Sequence, residues 1–153
     1  MTLVPIDAQR FPSWWNRSLA EYATDLTSAG EAPEVARRHA AETMRTAFPT
    51  GGPAADNAVF DLVHDADGTV GYLWIGRDTS DDATAWWVWD ILIEPEHRGK
   101  GYGRAAMLLA EDHARATGAR TLGFSVFGHN RAARALYESA GFEITTVKMR
   151  KRL

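Results

Sequence analysis

The stretch that most limits how this chain can fold runs from Trp89 to Arg104, Trp-Asp-Ile-Leu-Ile-Glu-Pro-Glu-His-Arg-Gly-Lys-Gly-Tyr-Gly-Arg. An apolar run of strand character breaks at Pro95 and turns through Gly99, Gly101 and Gly103. A helical pattern then starts at once with Ala105-Ala106-Met107-Leu108-Leu109. A strand that passes through a glycine loop straight into a helix calls for an α/β arrangement, and it makes an anion site. The glycines let backbone N–H groups turn toward a ligand without a Cβ in the way, and the helix start adds unpaired donors and a positive dipole end. His97, Arg98, Lys100 and Arg104 surround the loop with side chains suited to a phosphate.

The remainder of the chain is consistent with one domain over residues 1–153, long enough for a sizeable core. No apolar run approaches the ~20 residues that span a bilayer. The first residues lack a basic segment followed by a long apolar one, so no secretory leader is expected. The sequence has no cysteine, which removes disulfides, thiolate metal sites and an acyl-thioester on the protein, and makes the cytoplasm the expected location. Acidic residues outnumber basic ones up to Asp90, and the balance reverses after it. The acidic half fits a cationic partner and equally fits Asp-rich loops that simply solvate the fold.

In chain order, Leu3 to Ile6 reads as a short edge strand, where Pro5 is tolerated. A helix follows with Ser13 as N-cap and Trp15, Leu19, Tyr22 and Leu26 on one apolar face. Trp14 lies off that stripe and is expected to be a partly covered surface aromatic. Gly30 ends this helix, and Pro33 opens a second one that runs to about Phe48 with Ala36, Ala40, Met44 and Ala47 on one side. Pro49 to Pro53 forms a loop rather than a domain boundary. Strands are expected over Ala58–Val63 and Val70–Ile75, joined as a hairpin, and over Ala85–Glu94, the most apolar and hence central one. After the glycine loop a helix ends at Gly118, with Glu111 and Arg115 paired at i,i+4. Thr121–Phe127 reads as a strand, Asn130 as the N-cap of a helix stopped by Gly141, and Ile144 to about Arg150 as a last strand.

Two well-known phosphate loops fail here. No Gly-x-x-x-x-Gly-Lys-Ser/Thr is present, and a dinucleotide fold would place its glycines after the first strand with an acidic residue closing the next. Arg98-Gly-Lys-Gly101-Tyr-Gly103 instead resembles the Arg/Gln-x-x-Gly-x-Gly/Ala loop of the GNAT superfamily of N-acetyltransferases. Asn130-Arg-Ala-Ala133-Arg-Ala-Leu136-Tyr137-Glu-Ser-Ala-Gly141-Phe142 is similar to that family's Asn-x-x-Ala-x-x-Leu-Tyr-x-x-x-Gly-Phe segment. The resemblance is strong from Asp90 onward and covers the whole element order more loosely.

The resemblance implies an α/β fold with a mixed, mostly antiparallel sheet, splayed central parallel strands and helices on both faces. It implies acetyl-CoA as co-substrate. The backbone of Ile91, Leu92 and Ile93 would pair with the pantetheine arm as an added strand would. Backbone N–H groups from Gly99 through Lys100, Gly101, Tyr102 and Gly103 to Arg104 would meet the pyrophosphate, with Arg98, Lys100 or Arg104 adding charge. Asn130 would touch the coenzyme. Tyr137 matches the family's general acid, and a core tyrosine with an outward hydroxyl is the plain alternative.

The base departs from the family's patterns. Where some relatives carry Glu on the central strand this chain has Trp87, and where the ribosomal-protein acetyltransferases carry one it has Ser125. Asp90 is the carboxylate expected to be buried near the cleft, ahead of Glu94 and Glu96, and bulk water is the alternative base. The five histidines are scattered without metal spacing. Lys148-Met149-Arg150-Lys151-Arg152 reads as a solvated edge rather than a nucleic-acid patch. The expected partners are therefore acetyl-CoA and a primary amine on a small molecule or protein, with no nucleic acid and no membrane; a homodimer is compatible with the reading. A coenzyme A-binding module without turnover is the rival, kept open by the missing Glu.

Overall fold

The structure, a computed structural model, describes residues 1–149 and 151. Its sheet has five strands in the order β1 (Thr2–Pro5), β2 (Asn57–His64), β3 (Gly68–Arg77), β4 (Ala85–Ile93) and β5 (Thr121–Gly123). Every neighbouring pair is antiparallel except β4 and β5, which are parallel. The helices are α1 (Phe11–Ser28), α2 (Pro33–Ala47), α3 (Tyr102–Ala116) and α4 (Arg131–Ser139). β1 forms the outer edge, where Pro5 withholds no needed donor. No helix among the described residues is long and apolar enough to cross a membrane.

Two cores lie on opposite faces of the sheet. On one, Leu62, Val70, Leu73, Ile75, Trp86 and Val88 pack against Ala106, Met107, Ala110 and Ala114 of α3. On the other, Val59, Tyr72 and Trp74 pack against Phe11 and Trp14 of α1 and against Met44 and Phe48 at the end of α2. The small side chains Ala36 and Ala40 let α2 lie close to α1, where they meet Ala23 and Leu26.

The start of α1 differs from the sequence expectation. Asp7, not Ser13, organises it. The Asp7 carboxylate accepts from the N–H groups of Gln9 (2.9 Å) and Arg10 (2.7 Å), and the Phe11 N–H donates to the Asp7 carbonyl (3.0 Å). The helix therefore starts at Phe11, and Ser13 lies inside it with its hydroxyl on the Arg10 carbonyl. Its buried face then begins with Phe11, Trp14 and Ser18, so Trp14 is a core residue and not a surface one. The Trp14 ring stands edge-on to Trp74 at 5.7 Å and to Phe48 at 5.5 Å.

The C-terminal part differs too. β5 stops at Gly123 rather than Phe127, and Phe124 turns its ring onto Tyr137 (4.2 Å between centroids) and Phe142 (4.8 Å). No strand forms from Ile144 to Met149. Ile144 and Val147, three residues apart, would fall on opposite faces of a strand. Both are exposed. Arg150, the expected end of that strand, and Arg152 of the basic end lie outside the described residues. The helix-ending glycines behave as expected: Gly118 and Gly141 have φ of 88° and 90°, and the Phe142 N–H folds back onto the Tyr137 carbonyl at 3.1 Å.

Candidate active site

The two parallel strands part almost as soon as they meet. β4 and β5 pair only as Ala85 with Thr121, Trp86 with Leu122 and Trp87 with Gly123. Beyond Trp87 the edge of β4 away from β3 has no neighbouring strand among the described residues. The bond from the Glu94 N–H to the Val70 carbonyl sets the phase of the β3–β4 ladder. With alternate residues pairing, Leu92 directs its backbone to Tyr72, while Ile91 and Ile93 turn theirs into the gap. Arg98 reaches the outward carbonyl of Ile93 through its Nε at 3.0 Å.

A bulge in β4 decides which side chains face which core. Trp74 pairs with Asp90 and Ile75 with Val88, so Trp89 is the extra residue. Before the bulge, Trp86 and Val88 face α3; after it, Ile91 and Ile93 do. Strict alternation would have sent Asp90 to the α3 core. The bulge sends it to the α1 face, together with Leu92.

There Asp90 Oδ2 accepts from Ser18 Oγ at 2.8 Å and from the Tyr72 hydroxyl at 2.9 Å. Burial pushes the carboxyl up to about 6, opposed by those two donors and helped by the nearby charges of Glu21 and Asp25. The Tyr72 hydroxyl also lies 2.9 Å from Glu21 Oε2, and burial first and the two carboxylates next raise the phenol far above its ordinary range. Arg17 binds Glu21 through Nε at 2.9 Å and holds Glu94 at 2.5 and 2.9 Å through its two terminal nitrogens. That grip keeps the Glu94 carboxyl below its usual range. Glu94 is thereby tied to α1, and Glu96, in the single 3₁₀ turn Pro95–His97, is exposed.

Tyr137 arrives from the other side on α4, against Phe124. Burial raises its phenol, and the charge of Asp90 raises it further. Asn130 caps α4, its side chain accepting from the Ala133 N–H at 3.2 Å.

The glycine loop has the form of an anion cradle. Gly99 and Gly101 have φ of 76° and 84°, and a Cβ on either would meet open space. Gly101 is the N-cap of α3 and brings no side-chain bond to the first turn, leaving the amides of Tyr102, Gly103 and Arg104 for a ligand. The basic side chains around it are partly engaged elsewhere. Lys100 and the Tyr102 hydroxyl both bond Asp67 in the β2–β3 turn, and Arg104 bonds Ser139 of α4 at 2.7 Å. Phosphate contact from Tyr102 and Gly103 would thus come from the backbone. Among the described residues no group of three or more His, Asp or Glu is placed to hold a metal.

A parallel pair that splays beside an uncapped glycine-loop helix is specific enough for comparison with known proteins. Residues 14–142 match the family model "Acetyltransferase (GNAT) family". This chain belongs to the GNAT family. The uncharacterized N-acetyltransferase YycN of Bacillus subtilis (strain 168) is 31% identical to it over 152 residues, covering 99% of this chain and 97% of YycN. The crystal structure of YycN superposes with a TM-score of 0.90 over 99% of this chain and 98% of that one. The [ribosomal protein bS18]-alanine N-acetyltransferase of Escherichia coli (strain K12) is 37% identical over 68 residues, 44% of each chain. The CoA complex of aminoglycoside N-acetyltransferase AAC(6')-Iy, at 16% identity and a TM-score of 0.59, shares the fold. The protein is an acetyl-CoA-dependent acyltransferase with the mixed, mostly antiparallel GNAT sheet.

Four residues around Asp90 escaped the sequence reading of this acetyltransferase: Arg17, Ser18, Glu21 and Tyr72. One signal was available. Ser18 is a polar residue on a helix face that otherwise buries Phe11, Trp14 and Leu26, and a buried hydroxyl needs a partner.

Proposed function

We propose that residues 1–153 act as one cytoplasmic N-acetyltransferase domain that moves an acetyl group from acetyl-CoA directly to a primary amine of a small molecule or protein. The observation that carries the reading is the outward backbone of Ile91 and Ile93 where β4 and β5 part, and Asp90 and Tyr137 are taken as its acid–base pair because the Asp90 charge reaches the Tyr137 phenol. With no cysteine to acylate, transfer within a ternary complex is the economical route. The backbone amides of Gly99 to Arg104 receive the pyrophosphate, Leu92 shapes the wall beneath the pantetheine arm, and Asn130 fixes the start of α4. Asp90, as carboxylate, takes a proton from the acceptor ammonium, so that a neutral amine attacks the thioester carbonyl. Tyr137 gives a proton to the departing thiolate and keeps it from attacking back.

A screen of alkyl monoamines, polyamines, aminoglycosides and peptide N-termini, scored by release of free thiol from acetyl-CoA, tests the proposal. Sustained thiol release with at least one amine, lost in Tyr137→Phe, is expected. Tight acetyl-CoA binding with no release by any amine would favour a binding module instead.

A further inference from the structure

The hydroxyl of Tyr72 lies 2.9 Å from Glu21 and 2.9 Å from Asp90, and this cannot be satisfied by two ionised carboxylates. A phenol donates one proton; its oxygen can accept. If Tyr72 donates to one carboxylate, the other contact is a hydrogen bond only when that carboxyl carries a proton of its own. The surroundings distinguish the two. Asp90 is enclosed by Ser18 and Tyr72, whereas the Glu21 side chain is 38% exposed and its second oxygen accepts from Arg17 at 2.9 Å, so Asp90 is the one placed to hold the proton inside and Glu21 the one that meets solvent. With a proton on Asp90, the Asp90 hydroxyl donates to the Tyr72 oxygen and the Tyr72 hydroxyl donates to the Glu21 carboxylate, a chain of hydrogen bonds that runs from Asp90 to the surface.

We propose that Asp90, Tyr72 and Glu21 are a proton relay that carries the proton taken from the acceptor ammonium out of the site and releases it to solvent at Glu21. The inference rests on Asp90 acting as the base. In the transfer the Asp90 O–H bond breaks as its proton passes to the Tyr72 oxygen, and the original phenol proton passes to Glu21. Asp90 is again a carboxylate and Tyr72 again a phenol. Glu21 loses its proton to water, and rotation about the phenol C–O bond resets the chain. Because the phenol resists ionisation, the two hops are concerted and no free phenolate forms. Tyr72 and Glu21 are positioning residues, since they act through Asp90. Other groups that face the relay are Arg17, Ser18 and Asp25 from α1 and Tyr137 from α4.

Two measurements test the relay. In the protein free of ligand, ¹³C carboxyl NMR follows the titration of Asp90. Tyr72→Phe removes a donor to the carboxylate and must move that titration alkaline; Glu21→Gln removes a neighbouring negative charge and must move it acid. A titration unmoved in both variants overturns the relay whatever the acceptor. With the fastest amine of the screen, Glu21→Gln keeps an oxygen for Tyr72 to donate to but cannot take up a proton. Turnover at saturating acetyl-CoA should fall about tenfold and recover as imidazole is added, with the KM for acetyl-CoA unchanged. A loss that imidazole does not restore, or no loss at all, rejects proton carriage. Asp90→Asn separates the two levels: full activity in Asp90→Asn removes the base itself, whereas an inactive Asp90→Asn beside a fully active Glu21→Gln removes the relay alone.

Discussion

The two walls of the gap are built in different ways. The glycine-loop wall is local: the end of β4, the glycine loop and the start of α3 follow one another in sequence, and α4 adds one contiguous segment. The wall around Asp90 is assembled from distant pieces. Ser18 meets Asp90 across 72 residues, Tyr72 meets Glu21 across 51, and Arg17 meets Glu94 across 77. A local wall can be carried unchanged through a family, because its geometry is written in glycine spacing and helix caps. A wall made of long-range contacts can be rebuilt with other residue types while the strand beneath it stays. Three residues after Trp87, the bulge at Trp89 turns the Asp90 carboxyl to the α1 face, where Ser18 and Tyr72 meet it.

The comparison is broken most directly at Tyr137, the one catalytic candidate on the local wall. Tyr137→Phe keeps the ring against Phe124 and removes only the hydroxyl. Turnover is expected to drop about a hundredfold or more, with the calorimetric Kd for acetyl-CoA nearly unchanged. Parallel loss of binding would mean that the hydroxyl helps to hold the coenzyme rather than to protonate the thiolate.

Next in size is the seam that joins the walls. A Cβ on Gly123 would lie 2.5 Å from Cζ3 of Trp87, far inside contact distance. Gly123→Ala must push the indole aside or force β4 and β5 apart, a strain of roughly 1–3 kcal/mol. Thermal unfolding followed by circular dichroism should show a melting temperature lower by several degrees. An unchanged melting temperature would mean that Trp87 moves freely and does not fix the width of the gap.

This contrast also explains what the sequence made legible. The Gly99–Gly103 loop, the Asn130 cap, the Gly118 and Gly141 stops and the Glu111–Arg115 pair all depend on residues within a few positions of one another, and spacing displays them. The Trp89 bulge leaves no local mark, since Trp-Val-Trp-Asp reads as an unbroken strand. Without the bulge, nothing in the sequence says that Asp90 faces α1. The error at Trp14 has the same origin. Asp7 starts the helix three residues earlier than Ser13 would, and the buried face that then begins at Phe11 takes in Trp14, which meets Trp74. The expected last strand failed for the opposite reason: Ile144 to Met149 has strand composition, yet Ile144, Val147 and Met149 all stay exposed and find no sheet edge to pair with.

A third prediction concerns the distant wall. A carboxyl raised to about 6 in the folded protein, against 3.8 for the free group, keeps its proton over a range in which the unfolded chain has lost it. Between roughly pH 4 and 6 the folded state thus binds more protons at Asp90, and this group's contribution to stability falls as pH rises, by at most about 1.4 kcal/mol per pH unit. Asp90→Asn removes that slope, so the stability difference between variant and wild type should grow in favour of the variant from pH 4 to 6 in urea titrations. The activity profile has the matching sign: the base form exists above about 6, so kcat/KM rises through that pH and then levels. A stability difference constant with pH would show that Asp90 titrates normally in the folded protein.

The smallest effect expected separates two glycines of the same loop. Gly101 has φ of 84° with open space around its missing Cβ, so Gly101→Ala is opposed by backbone conformation alone, about 1–2 kcal/mol. Gly103 is helical, and its Cβ would come within 3.2 Å of Leu136 Cδ2, the tip of a flexible side chain that can yield by a few tenths of an ångström. Gly101→Ala should therefore weaken acetyl-CoA by about tenfold, through amides that no longer point at the pyrophosphate. Gly103→Ala should change that affinity by no more than a few-fold and act instead on turnover, because Leu136 immediately precedes Tyr137 and its shift passes to the phenol. If Gly103→Ala weakened binding as much as Gly101→Ala and left turnover per bound coenzyme intact, α4 would be indifferent to its packing on α3. The local wall would then be two independent pieces, the loop and the helix of Tyr137, rather than one.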